Sequence, residues 1–244
     1  MPAPNFKTSA CVCAMLLLIG SAAYGGQRSE LVPSNADASP VITQADVELD
    51  ANTGAFTFDG LGPGISLGNS SILNLSGGDF TVHAWVQLAA YCNDTGTGSG
   101  PPCDMSIVDK MASIASVNNY GWRLLKQSDG HFWFCLGGGP GNGCDGSAST
   151  TVISKTVAVT GVWYSVTAVK TSSRISIYVN GLLEGGSLLG DHFDSSDVPV
   201  LVGANTFEGA YLVGQVGQVQ LFKSALSAPR ILAAFAFSKA RYGY

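Results

Sequence analysis

Apolar and polar positions alternate with a period of two along much of this chain. The pattern is clearest from Val162 to Gly186. There Trp163, Ser165, Thr167 and Val169 alternate with Tyr164, Val166, Ala168 and Lys170, and Ile175, Ile177 and Val179 alternate with Ser176, Tyr178 and Asn180. Such alternation in β-branched and aromatic residues marks half-buried strands. The stretch predicts three antiparallel strands joined by two tight turns. Asn180-Gly181 is a strong hairpin signal, because a type I′ turn needs positive φ at both central residues.

The same reading predicts strands near Asp46–Leu49, Ala55–Asp59, Ile65–Leu67, Phe80–Ala90, Ser106–Lys110, Tyr120–Lys126 and His131–Leu136. It continues with Val152–Val159, Val162–Lys170, Ser173–Asn180, Val198–Gly203 and Gln215–Phe222, separated by Gly, Asn and Asp turns such as Ser128-Asp129-Gly130. No strand–helix alternation suggests βαβ units. One helix is expected near the end, with Ser227 as cap, Pro229 in the first turn, and Ile231, Leu232 and Phe235 on one face. The fold class is therefore all-β: a two-sheet antiparallel jelly-roll sandwich with a short C-terminal helix.

The first 25 residues have a different pattern. Lys7 precedes an apolar run, Ala10 to Ile19, and small residues follow at Gly20, Ser21, Ala22, Ala23 and Gly25. This is the pattern of a secretory signal peptide, too short for a membrane span. The expectation is a secreted, periplasmic or cell-surface protein with no membrane insertion after leader removal. Residues 26–44 are polar, with Pro33 and Pro40, and read as a flexible lead-in. The domain is expected over 45–244. Without Lys7 the 12 Lys+Arg become 11 against 17 Asp+Glu, about −6. Nothing basic is clustered, so nucleic acid and anionic membrane surfaces are poor partners. The 31 glycines suit many short strands with tight turns.

Four cysteines lie outside the leader: Cys92, Cys103, Cys135 and Cys144. An even number in an exported protein reads as disulfides. Three connectivities are possible. Cys92–Cys103 and Cys135–Cys144 are favoured because each closes a short Gly/Pro-rich loop. A Cys₄ zinc site is the rival, and no CxxC pair supports it.

Four segments in order resemble the laminin-G-like branch of the concanavalin A-like lectin/glucanase jelly rolls. Phe56-Thr57-Phe58-Asp59-Gly60 resembles the family's opening strand, and Phe80 to Val86 its FTxEAWV strand. Trp163 to Gly181 resembles its hairpin region, and Val216 to Ile231 its closing strand and helix. The resemblance covers roughly residues 55–235. It implies a scaffold that hosts lectins, adhesins, glycosidases and lyases alike. Trp85 and Trp163 match positions that are usually core, and His83 stands where the family usually has Glu. In many relatives acidic residues after the opening strand and in the closing strand support calcium. Here those positions are Gly62-Pro63 and Gly217-Gln218, and only Asp59 remains.

A hard cation takes six to eight oxygens. Calcium is possible at Asp59, or in the loop Asp191-His192-Phe193-Asp194-Ser195-Ser196-Asp197, where Asp191, Asp194 and Asp197 are the best metal candidates. No ExDxxE pair of the related glucanases and no GxSxG occurs, so the reading leans against an enzyme. A sugar site needs less: aromatic faces plus amide, carboxylate and imidazole hydrogen bonds. The candidate ligand-binding residues are His83, Gln87, Trp122, His131 and Trp133. The expected function is an exported non-catalytic binding domain for a glycan or cell-surface ligand. A structural or adhesive surface protein is the alternative, and a polysaccharide-active hydrolase or lyase a further one.

Overall fold

Among the described residues, fifteen strands form two large sheets and one small one. The computed structural model describes residues 53–75, 78–91, 104–114, 118–140, 144, 150–190, 193 and 196–244. The predicted strand Asp46–Leu49, the leader and the lead-in lie outside these residues.

The first sheet has the order β1-β15-β3-β9-β10-β11: β1 (Phe56–Asp59), β15 (Val213–Phe222), β3 (Phe80–Leu88), β9 (Trp163–Lys170), β10 (Arg174–Val179) and β11 (Leu182–Leu188). The second has the order β2-β12-β4-β6-β7-β8: β2 (Ile65–Gly68), β12 (Val200–Val202), β4 (Met105–Asp109), β6 (Asn118–Lys126), β7 (His131–Pro140) and β8 (Thr151–Val157). Strand β5 (Ala112–Ile114) adds to β6, and β13 (Ala204–Asn205) pairs with β14 (Ala210–Tyr211) as a small hairpin. Every pairing is antiparallel. This is the jelly-roll sandwich that the sequence pattern predicts.

Alternation decides which side chains meet between the sheets. Phe80, Val82, Ala84, Val86 and Leu88 of β3 face Trp122, Leu124, Phe132, Phe134 and Leu136 of β6 and β7 in one core. Phe80 lies edge-on to Phe134, with ring centroids 6.1 Å apart. The opposite parity, Thr81, His83, Trp85 and Gln87, faces outward on the first sheet. At the predicted hairpin Asn180 and Gly181 have φ of 51° and 81°, as a type I′ turn requires. The Asn180 Oδ1 accepts the Ser165 amide, which ties the turn to β9.

The C-terminal helix α1 (Ala228–Ser238) packs over the outer face of the first sheet. Pro229 stands in its first turn as expected, but the Ser227 side chain makes no cap bond. Ile231 and Phe235 face the sheet; Leu232, about 100° further round the helix, lies half-exposed against the Gly181 turn. A short 3-10 turn at Lys239–Tyr242 then brings Tyr242 down onto Trp85, ring centroids 4.2 Å apart. One outer face of the sandwich is thereby sealed by the chain's own end.

Candidate functional site

The five residues expected to form one binding groove occupy three separate places. His83 and Gln87 lie on the outer face of the first sheet. His83 is buried, and its Nδ1 is 2.9 Å from the Thr167 hydroxyl on the neighbouring strand. Burial lowers its pKa from 6.5 to about 4, so the ring is neutral near pH 7. Gln87 donates its amide to the Gly161 carbonyl. Trp122 points the opposite way to a groove: it is 1% exposed, between the sheets, where its ring is tilted against Phe80. His131 and Trp133 do share a surface, the outer face of the second sheet. They meet at the Ser128–Gly130 turn, where Asp129 accepts the His131 amide and the Trp133 indole N–H.

That outer face of the second sheet carries the principal site. Antiparallel register sets Ser66, Leu201, Asp109, Arg123, Cys135 and Thr151 in a row across six strands. At its centre Asp109 and Arg123 form a buried ion pair, Nε to Oδ2 2.8 Å, with side chains 3% and 1% exposed. Arg123 also pairs through Nη1 with Glu208, and its Nε donates to Ser106. Asp109 accepts the Met111 amide, the Ser106 hydroxyl and the Asn205 amide. Burial pushes its carboxyl above the usual range, against the pull of Arg123 and these donors. The Oδ1 of Asn205 in turn accepts the amides of Phe207 and Glu208, shaping the β13–β14 turn.

The result is a cleft of about 290 Å³ with Asp109 and Asn205 on its floor and Met111, Leu201, Pro199 and Phe207 around them. The Phe207 ring is 56% exposed. From the cleft an apolar cluster runs beneath the surface through Met111, Leu125 and Cys135 to half-buried Trp133. Cys135 and Cys144 form a disulfide, Cα–Cα 5.2 Å, one of the two favoured pairs. The other, Cys92–Cys103, lies outside the described residues.

A larger hollow of about 730 Å³ follows the outer edge of β1, lined among others by Phe56, Phe58, Asp59, Pro63 and Gln215. Its aromatic rings turn inward: Phe56 is buried and Phe58 packs against the core. It therefore presents no open face on which a ring could stack.

A laminin-G-type family model of the concanavalin A-like lectin/glucanases superfamily matches residues 59–232. The chain belongs to this superfamily. Similar solved structures include the binding domain of Paraclostridial mosquitocidal protein 1, TM-score 0.54 and 13% identical, covering 77% of this chain and 46% of that one. The binding domain of botulinum neurotoxin serotype D has a TM-score of 0.53 at 18% identity over 80% and 45%. The receptor binding domain of the botulinum C/D mosaic neurotoxin has a TM-score of 0.53 at 15% identity over 80% and 46%. The chain spans less than half the length of these structures, and at such identities the likeness is one of fold. Curated protein sequences include no match.

The superfamily's usual calcium chemistry does not fit these residues. The Asp59 Oδ1 accepts the Leu61 amide in its own turn. On the closing strand, Gly217 sits under the Tyr242 ring: a side chain there would bring its Cβ within 2.7 Å of Cε1. The Gln218 amide donates to the Tyr242 hydroxyl, 2.9 Å. The C-terminal tail thus occupies the space where the superfamily pattern expects an acidic pair. Of the loop candidates, Asp191 and Asp194 lie outside the described residues. Asp197 is exposed, and the nearby Lys110 ammonium bonds the Asn69 side chain and the Val198 carbonyl. Among the described residues no three His, Cys, Asp or Glu side chains gather as a metal site.

Sequence reading missed Asp109, Arg123, Asn205, Phe207 and Glu208. A signal was available: Asp109 and Arg123 interrupt apolar strands, MSIVD and YGWRLLK, and charges in central strands are buried only when paired.

Proposed function

We propose that this domain is an exported, non-catalytic binding module that recognises glycans at the cleft on the outer face of its second sheet. One observation carries the reading: an exposed Phe207 ring stands beside a floor fixed by the Asp109–Arg123–Asn205 network. Sugars are held by an aromatic face for C–H patches together with polar groups for hydroxyls; the exposed Ser66 and Thr206 that line the cleft supply the latter, and the buried network beneath holds the floor in place. The cleft lies near the lower end of ordinary ligand pockets, about 300–1,000 Å³, which suits a terminal residue of a glycan rather than a long segment. The carboxylate of Asp109 is engaged by four donors and serves as scaffold. The membership of a lectin-bearing superfamily and a fold shared with toxin binding domains support recognition as the task. The proposed export rests on the leader-like first 25 residues.

A glycan array with the wild-type chain and Phe207→Ala tests this. The expected result is a defined set of glycans bound by the wild type and lost, at least about tenfold, in the variant. Truncating one stacking aromatic removes this order of affinity. Because Phe207 is exposed, its removal is expected to leave the melting temperature unchanged. A wild-type chain that binds no glycan yet self-associates on sizing would replace this reading with the structural or adhesive one.

A further inference from the structure

The C-terminal helix is apolar on both faces. One face, Ile231 and Phe235, packs on the first sheet. The other carries Pro229, Leu232, Ala233, Ala236 and Phe237, and all five are exposed; Phe237 is 92% exposed, while Leu232, 46% exposed, also rests against the Gly181 turn. At about 100° per residue these five positions span a continuous arc of roughly 140°. Arg230 flanks the arc on one side and Lys239 on the other. A helix that is apolar all round is ordinarily enclosed on all sides. On the sheet beneath, exposed Leu183 stands opposite Tyr178, which packs with Ile231, and so extends the apolar surface.

No cations cluster along the sequence, which argues against an anionic membrane partner, yet the charge carried by the C-terminal segment is one-sided. Residues 223–244 contain Lys223, Arg230, Lys239 and Arg241 and no Asp or Glu, although the whole chain is net negative at −5. Lys239 is exposed on the helix end beside Phe235, whereas the exposed Lys223 donates to the Ser71 carbonyl and the exposed Arg241 bonds the Tyr242 hydroxyl. Beyond a Debye length of about 8 Å the distant acidic residues are screened, so a partner at this face meets the local positive charge. An exposed apolar arc with cations at its margins suits the boundary between headgroups and acyl chains of an anionic bilayer. The α1 helix is 11 residues long, and no helix among the described residues is long and apolar enough to span a membrane.

We propose that the outer face of the C-terminal helix docks on anionic phospholipid bilayers, lying in the interface with Phe237 inserted and Arg230 and Lys239 among the headgroups. This surface lies on the first sheet and is independent of the cleft on the second. Each cation near an anionic surface strengthens partition by about fivefold, so binding depends on lipid charge and on salt.

Flotation of the full chain with vesicles tests it, comparing phosphatidylcholine alone with phosphatidylcholine containing 30 mol% phosphatidylserine. The wild type is expected to float with the anionic vesicles at low salt, to be released by 0.5 M NaCl, and to remain behind with phosphatidylcholine alone. Phe237→Glu is expected to reduce flotation at least about tenfold. Arg230→Glu, which leaves the apolar arc intact, is expected to reduce it as well and keeps the test decisive should the first variant fold poorly. Equal flotation of wild type and both variants, or no flotation of the wild type, overturns the proposal. So does a wild-type dimer that Phe237→Glu converts to a monomer without vesicle binding, since the face then belongs to a second copy of the chain.

Discussion

His83 shows how one buried side chain sets the acid stability of the molecule. It lies on β3 between Thr81, which bonds Ser224 and Leu226, and Trp85, which lies under Phe235 and Tyr242, and burial depresses its pKa from 6.5 to about 4. Above pH 6.5 folded and unfolded chains both hold it neutral, and the full stability is present. Below pH 6.5 the unfolded chain takes up the proton first, so stability falls until about pH 4, where the folded ring also protonates. The full loss is about 3 kcal/mol at 1.4 kcal/mol per pH step. Asp109 works in the opposite direction: its raised carboxyl pKa favours the folded chain as pH falls. A single-residue comparison separates the two. His83→Asn is expected to lose much less stability than wild type between pH 7 and pH 4.5 in urea denaturation; parallel losses would place the sensitivity elsewhere. The sequence made His83 visible as an outward-facing residue of β3 but not as a buried one. Nothing local in FTVHAWVQL announces that residues about 150 positions later will cover its face of the strand. The same long-range closure hid the roles of Arg123 and Asp109, whose partners Glu208 and Asn205 lie 85 and 96 positions later in the chain.

Short-range chemistry was legible at the level of elements wherever one turn or one pattern decides the outcome. Asn180-Gly181 fixes its hairpin through two positive φ values, and the β3, β9 and β15 patterns fix strands. The two- and three-residue strands β5, β13 and β14 are too short for a period to register, yet β13–β14 holds the cleft. Side-chain closure between sheets was equally hidden. Glu184 on β11 reaches across to β8 and accepts the Lys155 amide at 3.0 Å, the Thr156 amide at 2.8 Å and the Thr156 hydroxyl at 2.7 Å. In this position Glu184 satisfies edge donors that would otherwise be free to recruit another strand. Glu184→Ala is expected to cost about 0.5–1.5 kcal/mol, the net worth of such hydrogen bonds where water can replace the acceptor. Faster hydrogen exchange at Lys155 and Thr156, with β9 unaffected, would accompany it. Uniform acceleration throughout the sandwich would show instead that the contact supports the global fold.

The two outer faces of the sandwich are built differently: the C-terminal helix and tail cover the first sheet, and the buried Asp109–Arg123 pair underlies the second. The order of the four family-like segments revealed the sandwich, but sequence order does not say which sheet face a terminal helix will cover. The structure answers through aromatic packing. Trp85 is fully buried between β3 and the tail, stacked 5.7 Å from Phe235 and 4.2 Å from Tyr242, and donates its indole N–H to the Ser238 hydroxyl at 3.1 Å. Gly217 leaves room for the same Tyr242 ring. Of the residues that depart from the superfamily's acidic pattern, Gly217 and Gln218 are therefore those that admit the tail. Removing the indole leaves a large void where Phe235 and Tyr242 now rest, a loss of about 3–5 kcal/mol. The effect belongs first to the tail, because the core between the sheets contains none of these rings. Trp85→Ala is thus expected to expose the bonds after Lys239 and Arg241 to trypsin well below the midpoint of global unfolding, while Phe237→Glu, whose side chain touches solvent, leaves them protected. Unchanged protection in Trp85→Ala would mean that the Ile231 contacts with Val169 and Tyr178 alone hold the helix down. The aromatic stack would then be a filler of the sheet face, not its fastening.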